Sequence, residues 1–290
     1  MSDDSFKDKF IAYVDILGFK NMVEAAEARA GLSGSNLREI CAALGTSEDQ
    51  ANITNYGPTI CPESARIRRD IDFQLTQVSD CIIVSAEISP AGVINLVQHC
   101  WGAAIKLLTK GVMVRGYVTR GSIFHEGSDF MGTGYHKAYD KERNVTAFKQ
   151  EADERGTPFI EVDPVVCDYV SDHSDECVRE MFSRMVLGDE VVTALFPFKR
   201  LSHSFLIGSD FDPAKEKKAN QVLSEMIQEL KQRVMSHVDE SNLGGMKKAR
   251  HYIRALDDQL AVCDRTDETI DMLCAPYPAH RMGDLKPPKN

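Results

Sequence analysis

The chain has 290 residues, 43% hydrophobic and 27% charged, with a formal net charge of −10. A chain of this length buries roughly three quarters of its unfolded surface, so its core needs neither disulfide nor metal. The acidic balance excludes a nucleic-acid coat, which requires a basic face, but leaves room for a small phosphorylated ligand held by a local cluster of cations and a metal. The eight cysteines are scattered with no Cys-x-x-Cys pair. That predicts reduced, structural thiols rather than a zinc knuckle or disulfide framework. The polar start MSDDSFKDKF has no signal-peptide pattern, and no apolar run reaches the length of a membrane span. A cytoplasmic protein is expected.

In chain order, Phe10–Leu17 (FIAYVDIL) is β-branched and aromatic, ends at Gly18, and reads as a buried strand. Residues 21–29 and 37–44 read as helices, and 45–65 as a loop rich in Gly, Pro, Thr and Asn. Phe73–Val78 and Cys81–Ala86 are two short strands joined by a tight Ser79-Asp80 turn. Pro90 opens a helix that runs to about Lys110, with Ile94, Val97, Trp101, Ile105 and Leu108 on one apolar face. Val112–Phe124 is the longest strand pattern, followed by a glycine-rich turn and a helix over 135–143. Phe159–Val166 reads as a further strand, 168–212 is ambiguous, and 213–238 and 246–263 are helical. The order predicts an α+β fold with an antiparallel-rich sheet and helices on one face. The expected division is 8–166 as one α+β domain, 167–275 as a mostly helical extension packed on it or across a dimer, and 276–290 as an unstructured tail.

Two aspartates stand out. Asp15 lies inside an apolar strand and Asp80 at the start of another. An ionised carboxylate in such a setting is costly unless it is paired or metal-bound. If the strands are neighbours, the two carboxylates converge, and a divalent cation relieves their repulsion; Mg²⁺ or Mn²⁺ is the natural occupant, sharing its shell with substrate phosphates. Gly18 then turns the chain into a helix whose first N–H groups suit anionic oxygens. The same residues also read more simply, with Asp15 capping the turn and Asp80 as a hairpin residue.

The segments FIAYVDILGF, VSDCIIVS, VRGYVTRGSIFHEG and DFMGTGYHKAYDKE resemble the catalytic domain of class III nucleotidyl cyclases, and more closely the Pycsar pyrimidine cyclases of bacterial anti-phage defence. The resemblance covers about residues 8–145, on the motif Val14-Asp15-Ile16-Leu17-Gly18-Phe19 and the Ser79-Asp80 hairpin. It implies a ferredoxin-like βαββαβ core acting as a head-to-tail homodimer with shared active sites. It implies that Asp15 and Asp80 bind two metal ions, that Ile16 adds a backbone carbonyl, and that Leu17, Gly18 and Phe19 offer N–H groups to the β- and γ-phosphates. Arg115 falls where the family strand begins with arginine, Gly121 on a later family glycine, and Asp129 where purine cyclases carry a base-reading aspartate.

The sequence departs from the purine pattern at Thr76, four residues before Asp80, where purine cyclases carry a base-reading lysine; Thr76 and Asp129 are the base-recognition candidates. The helix positions that usually hold a transition-state asparagine and arginine fall on His136 and Asp140. An aspartate cannot replace arginine against developing phosphate charge, so the cation has to come from Arg120, Arg115, Lys137 or Lys141. Arg120 is the expected catalytic cation, with Arg115 and Lys137 as phosphate ligands. By strand parity Arg115 and Arg120 face opposite sides. Residues 104–149 hold eight Lys/Arg against four Asp/Glu, a locally cationic stretch in an acidic chain. The expected reaction is cyclisation of UTP, with CTP as the second choice, releasing diphosphate and a cyclic messenger for a separate effector. A non-catalytic nucleotide-binding module on the same fold is the competing expectation.

Overall fold

The computed structural model describes residues 5–58, 70–173, 175–188, 191–198, 211–238 and 241–275. The elements in chain order are β1 (Lys7–Ile16), α1 (Phe19–Glu27), α2 (Gly34–Ala42), α3 (Ser47–Tyr56), β2 (Gln74–Val78), β3 (Cys81–Glu87), α4 (Pro90–Leu108), β4 (Val114–Glu126), β5 (Asp129–Met131) and α5 (Thr133–Glu142). Then come β6 (Ile160–Val162), α6 (Pro164–Ser171), α7 (Glu176–Ser183), β7 (Val186–Gly188), β8 (Thr193–Leu195), α8 (Pro213–Ser236) and α9 (Leu243–Cys274). The main sheet runs β2-β3-β1-β4-β6-β8-β7, with β5 hairpinned onto β4. Among the described residues only the β4–β6 pair is parallel. The fold is α+β with a mostly antiparallel sheet.

The central strand β1 is buried on both faces, which is why its sequence is nearly continuously apolar. Phe10, Ala12, Val14 and Ile16 point into the larger core with α4, whose Val93, Ile94, Leu96 and Val97 are fully buried. Ile11 and Tyr13 point the other way, into a smaller core under α5 with Ile83, Ile123 and Ala138. The expectation of helices on one face is therefore corrected. α5 covers the face opposite α4, running antiparallel along β4, with Gly134 against Gly121 at one end and Glu142 beside Arg115 at the other.

A second core is built by the C-terminal hairpin α8–α9. Ile227, Leu230 and Val234 of α8 and Ala249, Tyr252, Leu256 and Cys263 of α9 pack with Leu17, Met113 and Phe159. Gly111, at φ 76°, lets the end of α4 meet α8 closely: a Cβ there would lie 2.6 Å from the Arg233 carbonyl oxygen. The sheet does not end near residue 166, because β7 and β8 continue it beyond β6. The loop expected over 45–65 contains α3, whose Thr46 and Asp49 form a capping box, and α9 runs eleven residues past its expected end at 263. Cys177 is disulfide-bonded, which corrects the expectation of thiols throughout. The tail 276–290 lies outside the described residues.

Candidate active site at the exit of the central strand

The register of the sheet brings the principal candidates together. Asp15 lies opposite Cys81 on β3 and opposite Arg115 on β4, so Asp15 and Arg115 share the α5 face. Asp80 sits in the β2–β3 turn, opened by Ser79 at φ 55°, and its carbonyl accepts the Ile16 N–H at 3.0 Å. That bond ties the hairpin turn to the end of β1. Burial first, then the neighbouring Asp80 and Glu142 carboxylates, push the Asp15 carboxyl up to about 7, with Arg115 and the Ile16 amide opposing. Asp15 and Asp80 are thus an electrostatically coupled pair of like charges.

Sequence reasoning missed two further members. Glu142, 2% exposed at the end of α5, accepts from Arg115 Nε at 2.5 Å. The signal was present as Gly134, Ala138 and Glu142 at four-residue spacing on the buried face of α5. Lys248 of α9 is the second. Its charge is felt by Arg115, Glu142 and Asp15, and burial holds its ammonium below the usual lysine range.

The turn after β1 is built for an exposed backbone. Leu17 donates its N–H to the Met113 carbonyl at 2.9 Å, so Leu17 is not the open phosphate donor that the resemblance implies. Gly18, at φ 78°, is the N-cap of α1 with no side-chain cap, and its carbonyl accepts from Asn21 and Met22. The N–H groups of Gly18 and Phe19 precede the first intrahelical donors. The space a Cβ would occupy on Gly18 is empty to 4 Å. The turn borders a cleft of about 830 Å³ whose far wall is the α8–α9 elbow, with Asn242, Gly244 and Lys248.

Other expected site residues are elsewhere. Arg120 pairs with Phe10, not Asp15, in the antiparallel register, and its guanidinium holds Asp8 at 2.7 and 3.0 Å. That places it roughly 17 Å along the strand from Asp15, at about 3.4 Å per residue. Lys137 is ion-paired at 2.7 Å to Asp163, which also accepts from Thr119 Oγ1. Thr76 is buried with its hydroxyl used internally: it donates to the Gly127 carbonyl at 2.5 Å and lies 2.9 Å from His125 Nε2. Because Thr76 has one proton to give, His125 Nε2–H donates to it, and Nδ1 accepts from Ser85 at 2.9 Å. Asp129 is exposed on β5, beyond the opposite end of β4 from Arg115. His136, Asp140 and Lys141 are exposed on α5.

Asp15, Asp80 and the carbonyl of Ile16 are the residues available to a cation here, although no group of three or more His, Cys, Asp or Glu side chains arranged around a metal position occurs among the described residues. Among the same residues no helix is long and apolar enough to cross a membrane. Neither a family model nor a curated protein matches the chain.

Proposed function

We propose that the protein is a pyrimidine nucleotide cyclase, a phosphorus–oxygen lyase that converts UTP to 3′,5′-cyclic UMP and diphosphate. The observation that carries this reading is the meeting of Asp15 and Asp80 at the strand exit, directly before a glycine turn with open N–H donors. The connectivity supports it: β1, a helical crossover, the β2–β3 hairpin, α4 and β4 give the order β2-β3-β1-β4, the strand order expected of a ferredoxin-like cyclase core. A phosphate-bound Mg²⁺ or Mn²⁺ needs few protein ligands because substrate oxygens and water complete its shell. A carboxylate whose ionisation is opposed by its neighbour fits that role. Asp15, Asp80 and the Ile16 carbonyl would hold two such ions. When bound, they lower the pKa of the ribose 3′-hydroxyl and offset charge on the triphosphate.

The residues of the chain do the positioning. Gly18 and Phe19 present N–H groups to non-bridging phosphate oxygens, and Arg115, oriented by Glu142, places a fixed positive charge beside Asp15. The 3′-oxygen attacks the α-phosphorus in line and diphosphate leaves. The distance of Asp129 from Asp15 within one chain favours a site completed by a second chain, in a head-to-tail homodimer. The cyclic product would be a messenger for a separate effector in anti-phage abortive infection. The occupation of Arg120 and Lys137 by Asp8 and Asp163 favours one second reading, a nucleotide-binding module without catalysis.

The test is incubation with each of ATP, GTP, CTP and UTP plus Mn²⁺, with products identified by mass spectrometry. Cyclic UMP is expected, and cyclic CMP alone would move the substrate to CTP. No cyclic product under any condition overturns the cyclase in favour of the binding module. A product that survives Asp15→Ala or Asp80→Ala overturns the metal assignment, and a fully active monomer by light scattering overturns the shared site.

A further inference from the structure

The cyclase reading leaves a cation missing, because the arginine position of the family falls on Asp140, and Arg120 and Lys137 are held elsewhere. We propose that Lys248 of α9 is the polyphosphate-binding cation of this site, delivered across the cleft by the C-terminal hairpin. The identity of the nucleotide rests on the cyclase reading; the anion-binding role does not.

Three observations carry the proposal. Lys248 lines the same cleft as Leu17 and Gly18, and the neighbouring Asp15 and Glu142 carboxylates act on its charge. Lys248 forms no ion pair among the described residues, whereas the preceding residue, Lys247, is held by Glu151 at 2.6 Å and Glu154 at 3.6 Å. Its position is also fixed. Tyr252, one helical turn further on the same face, is buried and bonds the backbone of Val114, which pins this stretch of α9 to the start of β4 beside Arg115.

A lysine recruited only as a counterion would close on Glu142, but Arg115 already occupies that carboxylate. Lys248 is therefore a half-buried ammonium facing carboxylates and a guanidinium with no partner of its own at ion-pair distance. A triphosphate with its divalent cations would supply the charges that complete this set: Asp15 and Asp80 would hold the cations, and Lys248 and the Gly18 turn would hold phosphate oxygens. The cleft wall also carries Glu24, whose carboxylate lies 3.7 Å from Lys20. The volume of about 830 Å³ is in the range of small-ligand sites.

The test is calorimetric titration of the full chain with Mn²⁺–tripolyphosphate, a probe with no base and no reacting hydroxyl, for wild type, Lys248→Gln, Lys248→Met and Lys248→Arg. Loss of one charged phosphate contact is expected to weaken binding by about 10–100-fold in the Gln and Met variants. Lys248→Arg is expected to restore most of it, a rescue that a purely structural loss would not show. Melting curves identify any variant that fails to fold, and the Gln and Arg variants then carry the comparison. Tripolyphosphate binding to Lys248→Gln at wild-type strength, or none to wild type, overturns the proposal. If binding depends on Lys248 but no triphosphate is cyclised, the cyclase reading fails and this assignment stands. If cyclisation is unchanged in Lys248→Gln, the reverse holds.

Discussion

The two ends of the α5 face of the sheet bury polar groups in opposite ways. At the far end, Lys9 is 2% exposed and bonds the Asp72 carbonyl at 2.6 Å and its carboxylate at 3.2 Å. Beside it, Ser85, His125, Thr76 and Gly127 form one directional hydrogen-bond chain. Burial, then the Lys9 charge, hold His125 down to about 4, so the imidazole is neutral and each of its nitrogens has one partner. At the strand exit, Asp15, Asp80 and Glu142 face one paired guanidinium and the ammonium of Lys248, which has no ion pair among the described residues, and Asp15 is pushed up rather than satisfied. The paired Lys9 and the bonded His125 ring mark the first end as architecture. Unresolved charge beside an open turn marks the second as chemistry.

The contrast can be broken by substitution, and Arg115→Met is the harshest test. It strands Glu142, whose side chain is 3% exposed, and should cost about 3–5 kcal/mol in chemical denaturation. A loss below about 1 kcal/mol would show the pair to be solvated. Next is Thr76→Val at the first end. It leaves His125 Nε2–H and the Gly127 carbonyl unpaired and should cost about 1–3 kcal/mol, with no change in the ranking of the four nucleoside triphosphates. A switch in that ranking would return Thr76 to base recognition.

Asp15→Asn should act with the opposite sign. Between the ordinary aspartate value of 3.8 and about 7, the folded protein keeps a proton that the unfolded chain releases. The metal-free protein therefore loses stability as pH rises through that window, and the loss levels off above it. Melting curves from pH 5 to 8 should show this slope in wild type and a flattened one in Asp15→Asn, with the variant melting about 2–4 °C higher at pH 8. A wild-type curve that rises with pH would overturn the raised carboxyl. The smallest effect is expected from Arg120→Ala, whose exposed pair with Asp8 contributes less than about 1 kcal/mol. Its cyclisation rate should stay within about twofold of wild type in a site that does not use it; loss of activity with an intact dimer would place Arg120 in the partner's site.

The strands β1, β3 and β4 and the helix α4 were legible because each carries an uninterrupted apolar run or a clear apolar face. Their neighbours were not. α3 buries no residue, so its segment shows no periodicity, and β7 and β8 have three residues each, too few for a pattern. Asp15 was readable as a charged residue where apolar ones belong, Asp80 as a hairpin residue at the start of a strand, and Gly18 as the turn that ends an apolar run. Arg120 was misplaced by geometry rather than chemistry. Its parity was right, but β4 runs antiparallel to β1, so a residue late in β4 lies near the start of β1, away from Asp15. Lys248 escaped because α9 was read through its apolar stripe, and no local pattern in a helix reveals which charged residue meets a turn more than two hundred positions earlier.

Consecutive residues feed the two cores at several places, among them Met113–Val114, Phe159–Ile160 and, at the site itself, Ile16–Leu17. Ile16 delivers its side chain to the core under α4, and Leu17, the next residue, delivers its own to the core of the C-terminal hairpin. Such a joint has no slack. An inserted residue between them would send one of the two side chains to the wrong core, so this stretch tolerates changes of size poorly and changes of length not at all. The cores should melt in a single transition, and movements of α8 and α9 should be transmitted rigidly to the carboxylate at Asp15 rather than absorbed along the way.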